Sequence, residues 1–123
     1  MWIVATTHDF DQWFTELASD GQAEVIAKVN LLKIFGPQLK RPHADTLEGS
    51  KHANMKELRA NARGQVLRIA FVFDPKRAAI LLVGGNKTGV NQRRFYKQLI
   101  AKADALYDAH IAAQNAQRKK GRS

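Results

Sequence analysis

The sequence predicts an α+β domain: an N-terminal strand and helical hairpin, a three-stranded antiparallel meander, and a C-terminal helix. Three observations carry this. Apolar residues recur at three- and four-residue spacing in the first third and again in the last third of the chain. Between these helical patterns, residues 65–73 and 78–85 are apolar on both faces, as central strands are. Glycine, proline and Asp-Gly breakers fall between the blocks. The order β-α-α-β-β-β-α places helices over one face of a sheet and leaves the other face more open.

Each element has its own signal. Residues 2–6 are short, apolar and β-prone, a first strand. A helix starts at His8 or Asp9, with Phe10, Trp13, Phe14 and Leu17 on one stripe and Asp9 and Asp11 at its positive end. Asp20-Gly21 breaks it. A second helix spans about residues 22–35, with Val25, Ile26, Val29, Leu32 and Phe35 aligned, and Gly36-Pro37 ends it. The two helices form an antiparallel hairpin. Residues 37–53 are a connection broken by Pro37, Pro42 and Gly49. Residues 55–60 are a weak strand, 61–64 a turn, 65–73 the strongest strand, 74–77 a turn and 78–85 another strong strand. The last helix covers about residues 92–114, with Phe95, Leu99, Ala103 and Leu106 on its core stripe. Residues 117–123 are polar and basic and are expected to be disordered, so the folded domain is residues 1–116.

The charge is polarised. Residues 51–97 hold eleven Lys or Arg against Glu57 and Asp74, a surplus equal to the whole formal charge of +9. The first fifty residues hold four cations and seven acids. One basic surface facing a polyanion is the expectation, and nucleic acid is the polyanion that gains most through counterion release. The chain has no cysteine, which excludes disulfides and thiolate metal sites. No basic leader and no long apolar run are present, so a cytoplasmic protein with no membrane contact is expected.

Several residues could carry chemistry. Arg68 interrupts an apolar strand. Alternation puts Leu67, Ile69, Phe71 and Phe73 under the helices and projects Arg68 from the open face. It either pairs with Glu57 or Asp74 or binds a ligand. Arg59 on the neighbouring strand and Lys87 at the end of the next give three cations on one face, enough to cradle a phosphodiester; an ordinary solvated face is the alternative. Gly84-Gly85-Asn86-Lys87-Thr88-Gly89 lacks phosphate-loop spacing and reads as a strand exit whose glycines let a ligand approach the backbone. Tyr96 lies beside Arg93, Arg94 and Lys97. It could stack on a base, act as acid or base, or simply pack beside Phe95. His8, His43, His52 and His110 have no metal-ligand spacing, so neither metal nor cofactor is expected. His52 precedes the weak basic strand and is a possible catalytic group.

The residues Met55-Lys56-Glu57-Leu58-Arg59, Val66 to Pro75, Ile80 to Thr88, Phe95-Tyr96-Lys97 and Ala103 to Tyr107 resemble the RelE/HigB superfamily of toxin–antitoxin toxins, in its phage-derived, HigB-like branch. The specific part runs from Lys56 to Tyr107, and the element order agrees over nearly the whole chain. The resemblance implies a ribosome-dependent mRNA endonuclease that cuts A-site codons without metal. It implies 2′-hydroxyl attack on the adjacent phosphate, with Arg59, Arg68, Lys87 and Tyr96 as catalytic residues and Lys56, Arg63, Arg93, Arg94 and Lys97 gripping RNA. It also implies a cognate antitoxin, HigA-like with a helix-turn-helix domain, in a hetero-oligomer with the toxin, and the 70S ribosome with mRNA as target. Glu57 and Met55 depart from the RelE pattern, where lysines stand; HigB-like members can use histidine or acidic residues for proton abstraction, and the resemblance therefore leaves His52 and Glu57 open for that role. The alternatives are a ParE-like gyrase inhibitor of the same fold and a phage-derived nucleic-acid-binding protein.

Overall fold

The computed structural model describes residues 1–121. Its elements are β1 (Ile3–Thr6), α1 (His8–Thr15), α2 (Ser19–Phe35), β2 (Ala44–Thr46), β3 (Lys56–Ala62), β4 (Gln65–Asp74), β5 (Ala78–Asn86) and α3 (Gln92–Lys120). They form a five-stranded mixed sheet of order β1-β5-β4-β3-β2. The expected meander is its centre. β1 is added in parallel to β5, and β2 in antiparallel fashion to β3.

Both faces of the sheet are covered, where one open face was expected. On one side α1 packs on β5, and α2 on β3 and β1. Phe10, Val25 and Leu32 meet Leu58, Leu67, Ile69, Phe71 and Leu81 there. On the other side α3 buries Leu99, Ala103 and Tyr107 against Met55, Ala70, Val72, Ile80 and Leu82. The reason is the strand composition. A strand apolar on both faces cannot leave one of them wet, because each Leu or Val side chain kept from water contributes about 1.5–3 kcal/mol. β5 serves both layers through a bulge. Ala70 pairs with Val83 and Phe71 with Leu81, so Leu82 is the extra residue and both Leu82 and Val83 face α3.

Helix boundaries differ from expectation in two places. α2 begins at Ser19 and runs through Asp20-Gly21, so the break falls at residues 16–18. Asp20 sits in the first turn, where a carboxylate is favoured, and its Oδ1 accepts from the Gly21 amide at 2.9 Å. Gly21 packs between Leu17 and Leu67, where an added Cβ would make ordinary contacts at 3.7 and 3.8 Å. α3 continues to Lys120, so residues 117–120 of the expected disordered tail are helical. Cations in a helix's last turn complement its dipole, and Arg118, Lys119 and Lys120 lie there. Residues 122 and 123 lie outside the described residues. Among those described, no helix is long and apolar enough to cross a membrane.

Candidate active site

The site grows from strand register. Glu57 and Arg59 project from the α3 face of β3, and Arg59 pairs directly with Arg68 on β4. Two guanidinium groups at opposed positions repel each other and need an anion between them. Glu57 provides it. Its Oε1 lies 3.5 Å from Arg68 Nε and its Oε2 lies 3.3 Å from Arg59 Nη2. Tyr96 of α3 donates its hydroxyl to Glu57 Oε1 at 2.8 Å. Arg68 Nη1 donates to the Leu67 carbonyl at 2.9 Å and to Asn61 Oδ1 at 3.4 Å. Arg68 does not project from an open face as expected. It is 7% exposed, beneath the start of α3, and the ion pair with Glu57 is present. Asp74 is at the far end of β4, held by Gln114 and His110. Despite burial, neither Arg59 Nε nor Arg68 Nε has a hydrogen-bond partner among the described residues.

Lys87 follows β5, its amide tied to the Val66 carbonyl at 2.9 Å. Its Nζ lies 5.3 Å from the centre of the Tyr96 ring. Burial, then the charge of Arg68, lowers its pKa below the usual lysine range. Burial also raises the Tyr96 pKa, and its hydrogen bond to Glu57 adds to the rise. Tyr96 thus keeps its proton and acts as a donor rather than a base. Around these groups lies a cleft of about 320 Å³ lined by Asp45, Glu48, Glu57, Arg59, Lys87 and Tyr96, among others. Arg68 lies behind Glu57.

The remaining candidates fall elsewhere. His52 does not line the cleft. Its Nε2 is 2.8 Å from Asp108 Oδ1 and its ring meets Tyr107 edge to face at 4.7 Å, so it fastens the 50–52 segment to α3. Ser50 and Lys51 reinforce that attachment through Asp104 and Asp108. Lys56 faces a separate recess beside Lys40 and Arg41 on the outer side of β2. Arg63 is at the β3–β4 turn, 3.3 Å from Asp20. Arg93, Arg94 and Lys97 line an outward hollow of about 830 Å³ on the side of α3 away from the core. Gly84 and Gly85 admit the protein's own aromatic rings, not a ligand. A Cβ on Gly84 would lie 2.3 Å from Trp13, and one on Gly85 2.9 Å from Phe95.

Sequence reasoning missed Asp45 and Glu48. Asp45 lies on β2, whose three residues sit in a stretch punctuated by Pro37, Pro42 and Gly49. Asp45 Oδ2 accepts from Arg41 Nε at 2.7 Å and from Arg59 Nη2 at 3.4 Å. Arg41 is the main cause of its lowered pKa.

Fold and site together define a small basic α+β domain with a cleft bordered by Arg59, Lys87 and Tyr96 and with Arg68 behind it. The chain belongs to the family described as Phage derived protein Gp49-like (DUF891), whose model matches residues 12–108. Two relatives come from Mycobacterium tuberculosis (strain ATCC 25618 / H37Rv). "Putative toxin HigB3" is 42% identical over 105 residues, covering 85% of this chain and 90% of that protein. "Putative toxin HigB2" is 41% identical over 101 residues, covering 81% of this chain and 50% of that protein. Among solved structures, a mutant of E. coli toxin RelE in the free state superposes with a TM-score of 0.56 at 10% identity, covering 82% of this chain and 95% of that one. At that identity the likeness concerns the fold alone. The resemblance to the RelE/HigB superfamily is thus borne out in family and in fold. The family match reaches back to residue 12 and so takes in α2 and the second half of α1.

Proposed function

We propose that this chain is the toxin of a type II toxin–antitoxin module and that it cleaves mRNA in the A site of the translating 70S ribosome. The observation that carries this is the directly opposed Arg59–Arg68 pair, neither buried Nε making a hydrogen bond among the described residues, with Arg59, Lys87 and Tyr96 lining one cleft and Arg68 behind Glu57 at its wall. Its relatives' names support the toxin role.

The chemistry follows from the groups present. The 2′-oxygen of one nucleotide attacks the adjacent phosphorus, the bond from phosphorus to the 5′-oxygen breaks, and the products are a 2′,3′-cyclic phosphate and a 5′-hydroxyl. Arg59 and Arg68 bind the non-bridging oxygens, and their charge opposes the negative charge that builds there. In the free protein Glu57 occupies that anionic position, and substrate phosphate takes over part of its contacts. Lys87 protonates the leaving 5′-oxygen, a role its lowered pKa favours. Tyr96 braces Glu57 and offers a ring on which a base can stack. No step calls for a metal. The outward cations Arg93, Arg94 and Lys97, with Arg63 and Lys56 at other edges, contact ribosomal and messenger RNA phosphates. A HigA-like helix-turn-helix antitoxin neutralises the protein in a hetero-oligomer, and the module acts in the cytoplasm.

Induced expression tests the reading. Wild type is expected to arrest growth, co-expression of a cognate HigA-like antitoxin to relieve the arrest, and Arg68→Ala to abolish it at equal soluble protein. Arrest by Arg68→Ala as complete as by wild type would contradict the assigned site and point to a gyrase-type toxin.

A further inference from the structure

Three carboxylates border the cleft, and their environments assign them different tasks. Glu57 is 4% exposed, its two oxygens turned to Tyr96, Arg68 and Arg59. It is a brace, with no surface left for an incoming hydroxyl. Asp45 is likewise committed. Its Oδ2 is shared by Arg41 and Arg59, and its Oδ1 accepts from the Thr46 amide at 2.9 Å. Glu48 is exposed, lines the same cleft, and has no hydrogen bond or ion pair among the described residues.

Its backbone is nonetheless held in place. The preceding Leu47 is buried and its amide donates to the Met55 carbonyl at 3.0 Å. The following Gly49, at φ 96°, turns the chain away. Glu48 therefore stands on the β2 wall of the cleft. Lys87 and Tyr96 come from the β5 end and α3, with β3 and β4 between as the floor. In-line displacement needs its proton acceptor and proton donor on opposite sides of phosphorus, and these two walls supply them. No histidine lines the cleft.

We propose that Glu48 is the catalytic residue that accepts the 2′-hydroxyl proton. This rests on the nuclease reading above. The 2′-proton passes to the Glu48 carboxylate as the bond from the 2′-oxygen to phosphorus forms. The bond to the 5′-oxygen breaks, and that oxygen takes a proton from Lys87. Glu48 then loses its proton to water and Lys87 regains one.

Single-turnover cleavage of mRNA on programmed 70S ribosomes tests this with the full-length protein. Two substrates are compared, the natural one and one with sulfur at the bridging 5′ position, a leaving group that needs no proton. Glu48→Gln is expected to slow cleavage about 100-fold or more with half-saturation unchanged within about twofold. That defect persists on the sulfur substrate, whereas the Lys87→Ala defect is largely relieved. Glu48 is exposed, so Glu48→Gln keeps the wild-type unfolding midpoint. Cleavage by Glu48→Gln within about threefold of wild type overturns the proposal. So does relief of its defect by sulfur, or loss of the rate in Glu57→Gln with folding and the Glu48→Gln rate intact. If wild type makes no cut at all, the nuclease reading itself falls; wild-type cutting with Glu48→Gln unaffected removes only the role of Glu48.

Discussion

Glu57 carries a negative charge into a place where the sheet has set two arginines face to face. A buried charge costs several kcal/mol unless it is paired, and here each charge makes the others tolerable. That arrangement was partly legible. Alternation puts Glu57 and Arg59 on one face of β3, because it depends only on local strand geometry, and the β3–β4 register adds Arg68 to that face. The approach of Tyr96 from thirty-nine residues away was not. Asp74 shows the same logic at the far end of β4. It is 8% exposed, and the Lys76 amide, Gln114 and His110 hold its pKa below the usual carboxylate range. A carboxyl depressed on folding adds stability above its unfolded pKa and loses it as pH falls through the folded value. Urea unfolding at stepped pH is therefore expected to show stability declining below about pH 4. Asp74→Asn is expected to lower stability at neutral pH and to flatten that decline; an unchanged acid slope would show that Asp74 is not the group responsible.

At the scale of elements, the site depends on how closely α3 approaches β5. Gly85 permits it, since an added methyl would meet Phe95 at 2.9 Å. Gly85→Ala is expected to displace the first turns of α3 and carry Tyr96 off Glu57. Cleavage should then fall more steeply than thermal stability does. Equal activity with Tyr96 still bonded to Glu57, seen in a crystal structure of the variant, would contradict the coupling. The central strands and the start of α3 were readable because their patterns are long and strongly apolar. β2 was not, because three residues, Ala44–Thr46, carry too little pattern and gain strand form only by pairing with β3. Covering of the second sheet face was implied by the two-sided apolar strands, but the element order alone suggested that helices would cover only one side.

Over the whole molecule, charge and chemistry are segregated. Six of the eleven cations of residues 51–97 gather in two separate places: Arg59 and Lys87 at the cleft with Arg68 behind it, and Arg93, Arg94 and Lys97 on the outer side of α3. The inner set is compensated by Glu57 and Asp45, whereas the outer set faces solvent and suits long-range attraction to RNA. Ribosome affinity is accordingly expected to fall steeply with salt, with a log–log slope of about −0.7 to −0.9 per phosphate contact. Charge reversal at Arg93 and Arg94 should flatten the slope and leave the folding midpoint in place. A slope near zero for wild type would remove the electrostatic premise.

The most direct test of the account is mapping of mRNA 5′ ends in a reconstituted translation reaction, with wild type and Arg68→Ala in parallel. New 5′-hydroxyl ends inside A-site codons are expected with wild type only, and none on the same mRNA without ribosomes. Translation that proceeds with no new ends, or identical ends from Arg68→Ala, would contradict it.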